Sequence, residues 1–265
     1  MTKIQTLITT VNMDDSKKLL ESMNVKHNYI IGNQCSHNSI VRDDNGLVVN
    51  TDMRGVGQNR NSIIERSDAD IGVLADDDMR FCDDYEEIVE RVFERNPDSD
   101  LIIFNFIEES EGRRVSTKTK KITKKNYMNY GAARFAFRRA NLAYHAIFFN
   151  KMFGGGTPHQ CGEDSLFLNS CLKAGLKVVA VPDALAYLQE TRESTWFKGY
   201  NEKYFFDKGV FLGIAHPKMG KLMAMLLIAK HKEYRESRSF YECFKLVSAG
   251  IKFSKSKDKD NRITN

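Results

Sequence analysis

The chain has 265 residues, 42% of them hydrophobic and 11% aromatic, enough for one large domain or a domain with a small appendage. Its 17 glycines and 4 prolines exclude collagen-like and proline-rich disordered chains, and no apolar run approaches the ~18 residues of a membrane span. The net charge of +5 is uneven: residues 1–197 carry 25 basic and 28 acidic side chains (−3), and residues 198–265 carry 15 and 7 (+8). A mildly acidic body over 1–197, a basic helical appendage over 198–254 and a disordered tail over 255–265 are therefore expected. The five cysteines (35, 82, 161, 171, 243) form no Cys-x-x-Cys pair and no His–Cys cluster. That spacing argues against a disulfide scaffold or zinc knuckle and fits a reducing cytoplasm. The first residues lack an apolar core followed by a small-residue cleavage site, so no signal peptide is read.

Ile4 to Val11 is apolar and β-branched and predicts a buried first strand. Asp14 or Asp15 caps a short helix ending near Met23. Tyr29–Ile31 predicts a second strand that gives way to a polar loop, Gly32 to His37. Ile40–Val49 contains two short β runs about Asp-Asn-Gly, a hairpin. Gly55-Val-Gly-Gln-Asn-Arg60 leads into a helix. Ile71–Ala75 is a strand that runs into Asp76-Asp77-Asp78, and Asp83 or Asp84 caps the helix that follows to about Arg95. Leu101–Ile107 is another strand. Residues 108–126 are polar and Lys-rich and predict a mobile loop. A short strand surrounds Phe135 and Phe137, and 148–162 is a glycine-rich loop. Glu163 opens a helix to Lys173, and Lys177–Val181 is a strand. From Tyr200 the pattern is helical. Strands alternating with helices indicate an α/β sandwich around a largely parallel sheet.

Three segments carry chemistry. Asp76, Asp77 and Asp78 stand at the carboxyl end of an apolar strand, where open α/β sheets bind ligands. Three like charges there need a cation or strong donors, and hard oxygen ligands suit magnesium or manganese; a solvated turn is the alternative. Gly55–Arg60 departs from the dinucleotide fingerprint at its third glycine, so it reads as a helix start that presents Arg60 to phosphate or base oxygens, or else as a surface arginine. Gly162-Glu163-Asp164 follows a glycine-rich loop and places two carboxylates at a helix N-terminus, where the dipole favours their charge. They serve either as a base or as a cap.

The order and spacing of Thr9-Thr10, Gly55-Val-Gly-Gln-Asn-Arg-Asn, Ala75-Asp-Asp-Asp78 and Gly162-Glu-Asp-Ser-Leu-Phe167 resemble the family 2 glycosyltransferases of the GT-A fold over residues 3–195. The resemblance implies a GT-A-like, Rossmann-type α/β sandwich with a mostly parallel sheet, followed by C-terminal helices. It implies that Thr9 and Thr10 lie beside the nucleotide base and that Arg60 contacts the nucleotide. Asp76 would sit near the uridine and ribose. Asp76, Asp77 and Asp78 would hold a manganese or magnesium ion on the diphosphate of a UDP-sugar. Asp164 would be the general base, with Glu163 beside it. Where many relatives end the second strand in an aspartate that reads the base, this chain has Asn33-Gln34-Cys35, and Gln34 offers an amide to the edge of uracil. The polymerase motif Gln-x-x-Arg-Trp is broken, since Gln189-Glu-Thr-Arg192 is followed by Glu193. Without membrane spans, single-sugar transfer to a glycan or lipid-linked acceptor is expected, of the kind used in bacterial surface polysaccharide or lipopolysaccharide assembly. Loops 154–156 and 113–125 would close over the substrates.

In the basic C-terminal region, Lys218–Lys232 has an apolar centre flanked by lysines, and Phe240, Phe244, Val247 and Ile251 recur at helical spacing. These helices either meet an anionic membrane surface, which would make the protein peripheral on the inner face of the cell membrane, or pack on the body or form a homodimer. No nucleic-acid partner is expected, because aromatic and basic residues are not interleaved and the body is acidic. Two other functions compete: a sugar-nucleotide nucleotidyltransferase and a non-catalytic nucleotide-sugar binding module. The first usually needs a basic glycine-rich loop after strand one, where this chain has the acidic Asn12-Met-Asp-Asp15.

Overall fold

A strand buried on both faces is rich in apolar and β-branched residues, and Ile4-Gln-Thr-Leu-Ile-Thr-Thr-Val forms β1 (Ile4–Val11), with every residue but the last buried and its threonines and glutamine buried among them. The computed structural model describes residues 2–107, 116–160, 162–189, 199–236 and 238–258. After β1 come α1 (Ser16–Met23), β2 (Tyr29–Gln34), β3 (Ser39–Arg42), β4 (Gly46–Thr51), α2 (Val56–Arg66), β5 (Ile71–Asp76), β6 (Met79–Phe81) and α3 (Tyr85–Arg95). Then follow β7 (Leu101–Ile107), the two-residue β8 (Lys120–Lys121), β9 (Phe135–Arg138), α4 (Arg139–Tyr144), α5 (Glu163–Lys173), β10 (Val178–Leu188), α6 (Glu202–Ala215), α7 (Gly220–Lys230) and α8 (Phe240–Asp258).

Among the described residues the strands form one ten-stranded sheet in the order β3-β4-β2-β1-β5-β9-β7-β10-β6, with β8 also on β10. Strands β1, β2, β4, β5, β7 and β10 run one way; β3, β6, β8 and β9 oppose them. The expected mostly parallel α/β sandwich is observed. β9 is the exception at its heart, wedged antiparallel between β5 and β7. Alternate residues of β1 serve the two layers. Ile4 and Ile8 pack with Leu20 and Met23 of α1 and Val89, Val92 and Phe93 of α3. Leu7 faces the other layer, with Ile63 and Ile64 of α2 and Phe167, Leu168 and Cys171 of α5.

Local chemistry explains the element ends. Asp15 caps α1 by accepting from the amides of Lys17 and Lys18. Asp84 stands at the cap position of α3 but makes no capping hydrogen bond, and Glu86 and Glu87 occupy the first turn as expected. The hairpin at β3–β4 forms, with Asp43 Oδ1 accepting from the amides of Asn45 and Gly46.

Four expectations are corrected. Gly32-Asn33-Gln34 is strand, not loop, because its polar side chains find buried partners: Asn33 bonds Met13 and Asn50, and Gln34 bonds Gly55. The Lys-rich segment is anchored from Ser116 on. Ser116 bonds Asn105, Lys120 and Lys121 pair with β10, and Ile122 is buried; residues 108–115 lie outside the described residues. The strand expected at 177–181 continues through Pro182 to Leu188, and Gln189-Glu-Thr-Arg192 beyond Gln189 lies outside the described residues. Helix α8 runs to Asp258, so the first residues assigned to a disordered tail are helical; 259–265 lie outside the described residues.

The C-terminal helices pack together and against the sandwich, sharing a cluster in which Phe153 and Leu166 meet Phe205, Phe211, Val247 and Ile251. α6 and α8 cross at Gly209 and Gly250. A Cβ on Gly209 would collide with the Val247 carbonyl, and one on Gly250 with that of Phe206. No described helix is long and apolar enough to cross a membrane.

Candidate active site

The parallel pairing of β1 and β5 sets Thr9 directly opposite Asp76 at their carboxyl ends. Thr9 Oγ1 donates to Asp76 Oδ1 at 3.0 Å, and Thr10 Oγ1 donates to Asp77 Oδ2 at 2.6 Å. The two threonines thus orient the acidic run. Asp78 lies in the turn into β6, where its carbonyl accepts from the Gln189 amide at 2.7 Å.

The start of α2 is fixed from two sides. Gln34 Oε1 accepts from the Gly55 amide at 2.7 Å, and the Val56 amide donates to Gly155 O at 3.1 Å. Gly55 has φ 127°, and a Cβ there would also lie 2.9 Å from Thr157 Cγ2, so glycine is required. One turn on, Arg60 points inward with a side chain only 5% exposed, which removes the surface-arginine alternative. Its Nη2 donates to Asp76 Oδ1 at 2.9 Å and its Nη1 to Asp164 Oδ1 at 2.8 Å; Glu163 Oε1 lies 3.9 Å from Nη1. The guanidinium also lies 5.3 Å from the centroid of Phe149, which itself stacks on Phe167 at 4.0 Å.

Helix α5 delivers the other two carboxylates. Gly162, at φ 127°, turns the chain into the helix, and its amide donates to Glu163 Oε2 at 3.0 Å. The Ala132 backbone amide bonds Asp164. One guanidinium therefore faces Asp76, Glu163 and Asp164, and three ionised carboxylates would leave this pocket with net charge −2. The acids respond accordingly. Burial, reinforced by the charge of Asp164, pushes Glu163 up to about 7. Burial likewise raises Asp164, against the pull of Arg60. Burial works against the charge on Arg60, but the three carboxylates outweigh it and raise its pKa further.

The glycine-rich loop is tied together by hydrogen bonds of its own. Gly154 N donates to His159 O at 2.8 Å, and Thr157 Oγ1 lies within 3.0 Å of the carbonyls of Met152, Gly154 and His159. Beneath it is a cluster that sequence reading missed. Buried Asp207 of α6 binds His159 Nδ1 at 2.8 Å, the Gln160 amide at 3.0 Å and Lys203 Nζ at 2.7 Å. The helical appendage thereby holds the loop that leads to Glu163 and Asp164. Lys203 and Asp207, four apart on a helix, were the available sequence signal; the His159 partner has none. Phe149 and the Ala132 amide were also missed.

Among the described residues, no group of three or more His, Cys, Asp or Glu side chains is placed to hold a metal ion by itself. An ion shared with a diphosphate needs only one or two carboxylates, and the hard oxygens of Asp76, Asp77 and Asp78 suit that arrangement. A cavity of about 900 Å³ lies between the sandwich and the C-terminal helices, lined by Asn61, Phe149, Asn169 and Gly213 among others. Arg60, Asp76, Glu163 and Asp164 do not line it.

No protein-family profile matches the chain. No curated protein sequence matches it either. Solved structures do. S. aureus TarS 1-349 in complex with UDP-GlcNAc superposes with TM-score 0.62 at 14% identity, covering 98% of this chain and 89% of that one. The complex of TarS 1-349 with UDP gives TM-score 0.59 at 13% identity, over 97% and 92%. A longer TarS chain gives TM-score 0.61 at 14% identity and is covered over 54% of its length. At this identity the likeness establishes the fold: a GT-A-like α/β sandwich followed by C-terminal helices.

Proposed function

We propose that this chain is an inverting glycosyltransferase that moves one hexosyl or N-acetylhexosaminyl group from a UDP-sugar to a hydroxyl of a surface glycan or lipid-linked saccharide. The observation that carries this reading is Arg60, which draws Asp76 at the end of β5 and Asp164 at the start of α5 into one cluster. The shared fold with a protein that binds UDP-GlcNAc and UDP supports the donor class.

In this reading Asp164 is the base. It takes the proton of the acceptor hydroxyl as that oxygen attacks the anomeric carbon, the sugar–phosphate bond breaks, and the nucleoside diphosphate leaves on the opposite face. A carboxyl raised by burial is a better proton acceptor than an exposed one. Arg60 holds it in place through one nitrogen and orients Asp76 toward the nucleotide through the other. Asp76, Asp77 and Asp78 would hold magnesium or manganese, which supplies Lewis-acid neutralisation of the diphosphate. Thr9 and Thr10 keep those carboxylates aligned, and Gln34 shapes the Gly55 turn that carries Arg60. Glu163, kept partly protonated near neutral pH, limits the negative charge beside the base.

The test is a panel of nucleotides and nucleotide sugars, with and without manganese, read by thermal unfolding and by release of nucleoside diphosphate. Metal-dependent stabilisation by a UDP-sugar, with UDP released when an acceptor saccharide is added, is the expected result. Stabilisation by nucleoside triphosphates alone would overturn it in favour of a nucleotidyltransferase. Donor binding with no release on any acceptor would leave a binding module.

A further inference from the structure

Helix α7 breaks the ordinary rule for a surface helix. Its buried stripe is Gly220, Ala224 and Ile228, four residues apart. Its outward residues are also apolar: Leu222, Met225 and Leu226, together with Met219 just before it, are each at least 40% exposed. A helix that is apolar all round is normally buried all round, yet α7 is covered on one side only.

The charges on that outer face are placed with equal regularity. At about 100° per residue, the arc runs Lys221, Met225, Ala229, Leu222, Leu226, Lys230. An apolar strip is thus bracketed by lysines, and all six residues are exposed. Lys218 and Lys232 extend the basic rim beyond each end. No Asp or Glu occurs from residue 208 to 232.

We propose that α7 lays this face on an anionic lipid surface, with Leu222, Met225 and Leu226 entering the acyl boundary and the lysines reaching the headgroups. An apolar strip with basic margins on a single convex helix has that geometry. Long lysine stems lie along apolar surface while their ammonium groups remain at the polar layer. A second copy fits less well, because a two-fold contact would bring two lysine rims together. A protein partner is also disfavoured: residues 217–232 contain no Trp, Tyr or Arg, the residues that anchor protein interfaces. This inference goes beyond the transferase reading and does not depend on it.

The experiment is co-sedimentation of the full chain with vesicles of phosphatidylcholine alone and of phosphatidylcholine mixed with phosphatidylglycerol, at low and high salt. The expected result is binding to the mixed vesicles, at least ~10-fold weaker on phosphatidylcholine alone and weakened by salt. The double variant Leu222→Glu/Leu226→Glu should lose at least ~10-fold of that binding, and Lys221→Gln/Lys230→Gln should bind more weakly and with a smaller salt dependence. Both pairs are exposed, and an unchanged thermal midpoint shows that the fold is intact. Three outcomes overturn the proposal. They are no sedimentation with mixed vesicles, equal binding by the glutamate variant, and lipid-free self-association abolished by that variant, which would assign the face to a second copy.

Discussion

Arg60 Nη1 and Asp164 Oδ1 stand 2.8 Å apart although 104 residues separate them in the chain. The same guanidinium holds Asp76 at 2.9 Å. The side chain that organises the end of β5 therefore also holds the start of α5, and the two acidic segments share one buried cation.

Removing that cation should cost stability as well as activity. In Arg60→Met, three partly buried carboxylates lose their common partner, and breaking such a buried pairing costs about 3–5 kcal/mol. Arg60→Lys retains charge but cannot bridge Asp76 and Asp164 with one planar fork, so it should fall between wild type and Arg60→Met. Urea unfolding checks the order, and equal midpoints for all three proteins would contradict it.

Two acid-to-amide variants should separate binding from chemistry. Asp164→Asn should bind UDP as wild type does and lose about 10²–10⁴-fold in turnover, the usual contribution of a positioned base. Asp78→Asn should weaken metal-dependent UDP binding, with KM for the donor rising before turnover falls. Calorimetric titration with UDP and steady-state kinetics distinguish the two. Indistinguishable behaviour would remove the division of roles.

Glu163 gives a signed pH prediction. Its folded pKa of about 7 exceeds its unfolded value near ~4.3. Between those values the native state binds more protons than the unfolded state, so stability falls as pH rises through that window. Glu163→Gln should flatten this part of the thermal midpoint profile and gain relative to wild type above pH ~7. A parallel profile for the two proteins would show that Glu163 is not held protonated.

Asp207 should act in the opposite sense. Hydrogen bonds from His159, Lys203 and the Gln160 amide outweigh burial and hold its pKa below the usual aspartate value. Its contribution is present above the unfolded pKa and is lost as pH falls through the lower folded value. Asp207→Asn should cost on the order of 2–3 kcal/mol at neutral pH, the scale of hydrogen bonds to a charged group. It should also lower turnover, because the loop preceding Asp164 loses its anchor, while UDP affinity is retained. Chemical unfolding and a comparison of kcat with UDP affinity test both parts.

The strand-end aspartates, the arginine of α2 and the acidic start of α5 were legible because each sits at a boundary between an apolar run and a polar turn. What could not be read was their mutual pairing: nothing in residues 55–60 says that Arg60 turns inward. Polar strand residues were misread for a related reason. Asn33 and Gln34 lie in β2 because Met13, Asn50 and Gly55 satisfy them, and propensity takes no account of partners distant in sequence. His159 and Asp207 escaped notice because their meeting depends on how α6 docks. The C-terminal helices were expected from spacing, but only the packing of α7 shows which of its two apolar faces is turned outward.

The position of β9 has a consequence for how the chain is made. β5 and β7 are complete by residue 107, yet the strand that joins them is residues 135–138. Until those residues leave the ribosome, two apolar strands face solvent with open hydrogen-bonding edges, which is the condition that favours association with other chains. Asp164 emerges later still. The nascent protein thus presents the Asp76 strand before anything can cover its β9 edge, and Arg60, made earlier, meets Asp76 before its second partner exists. Holding that intermediate apart from its neighbours is a task for chaperones, set by the order of the strands.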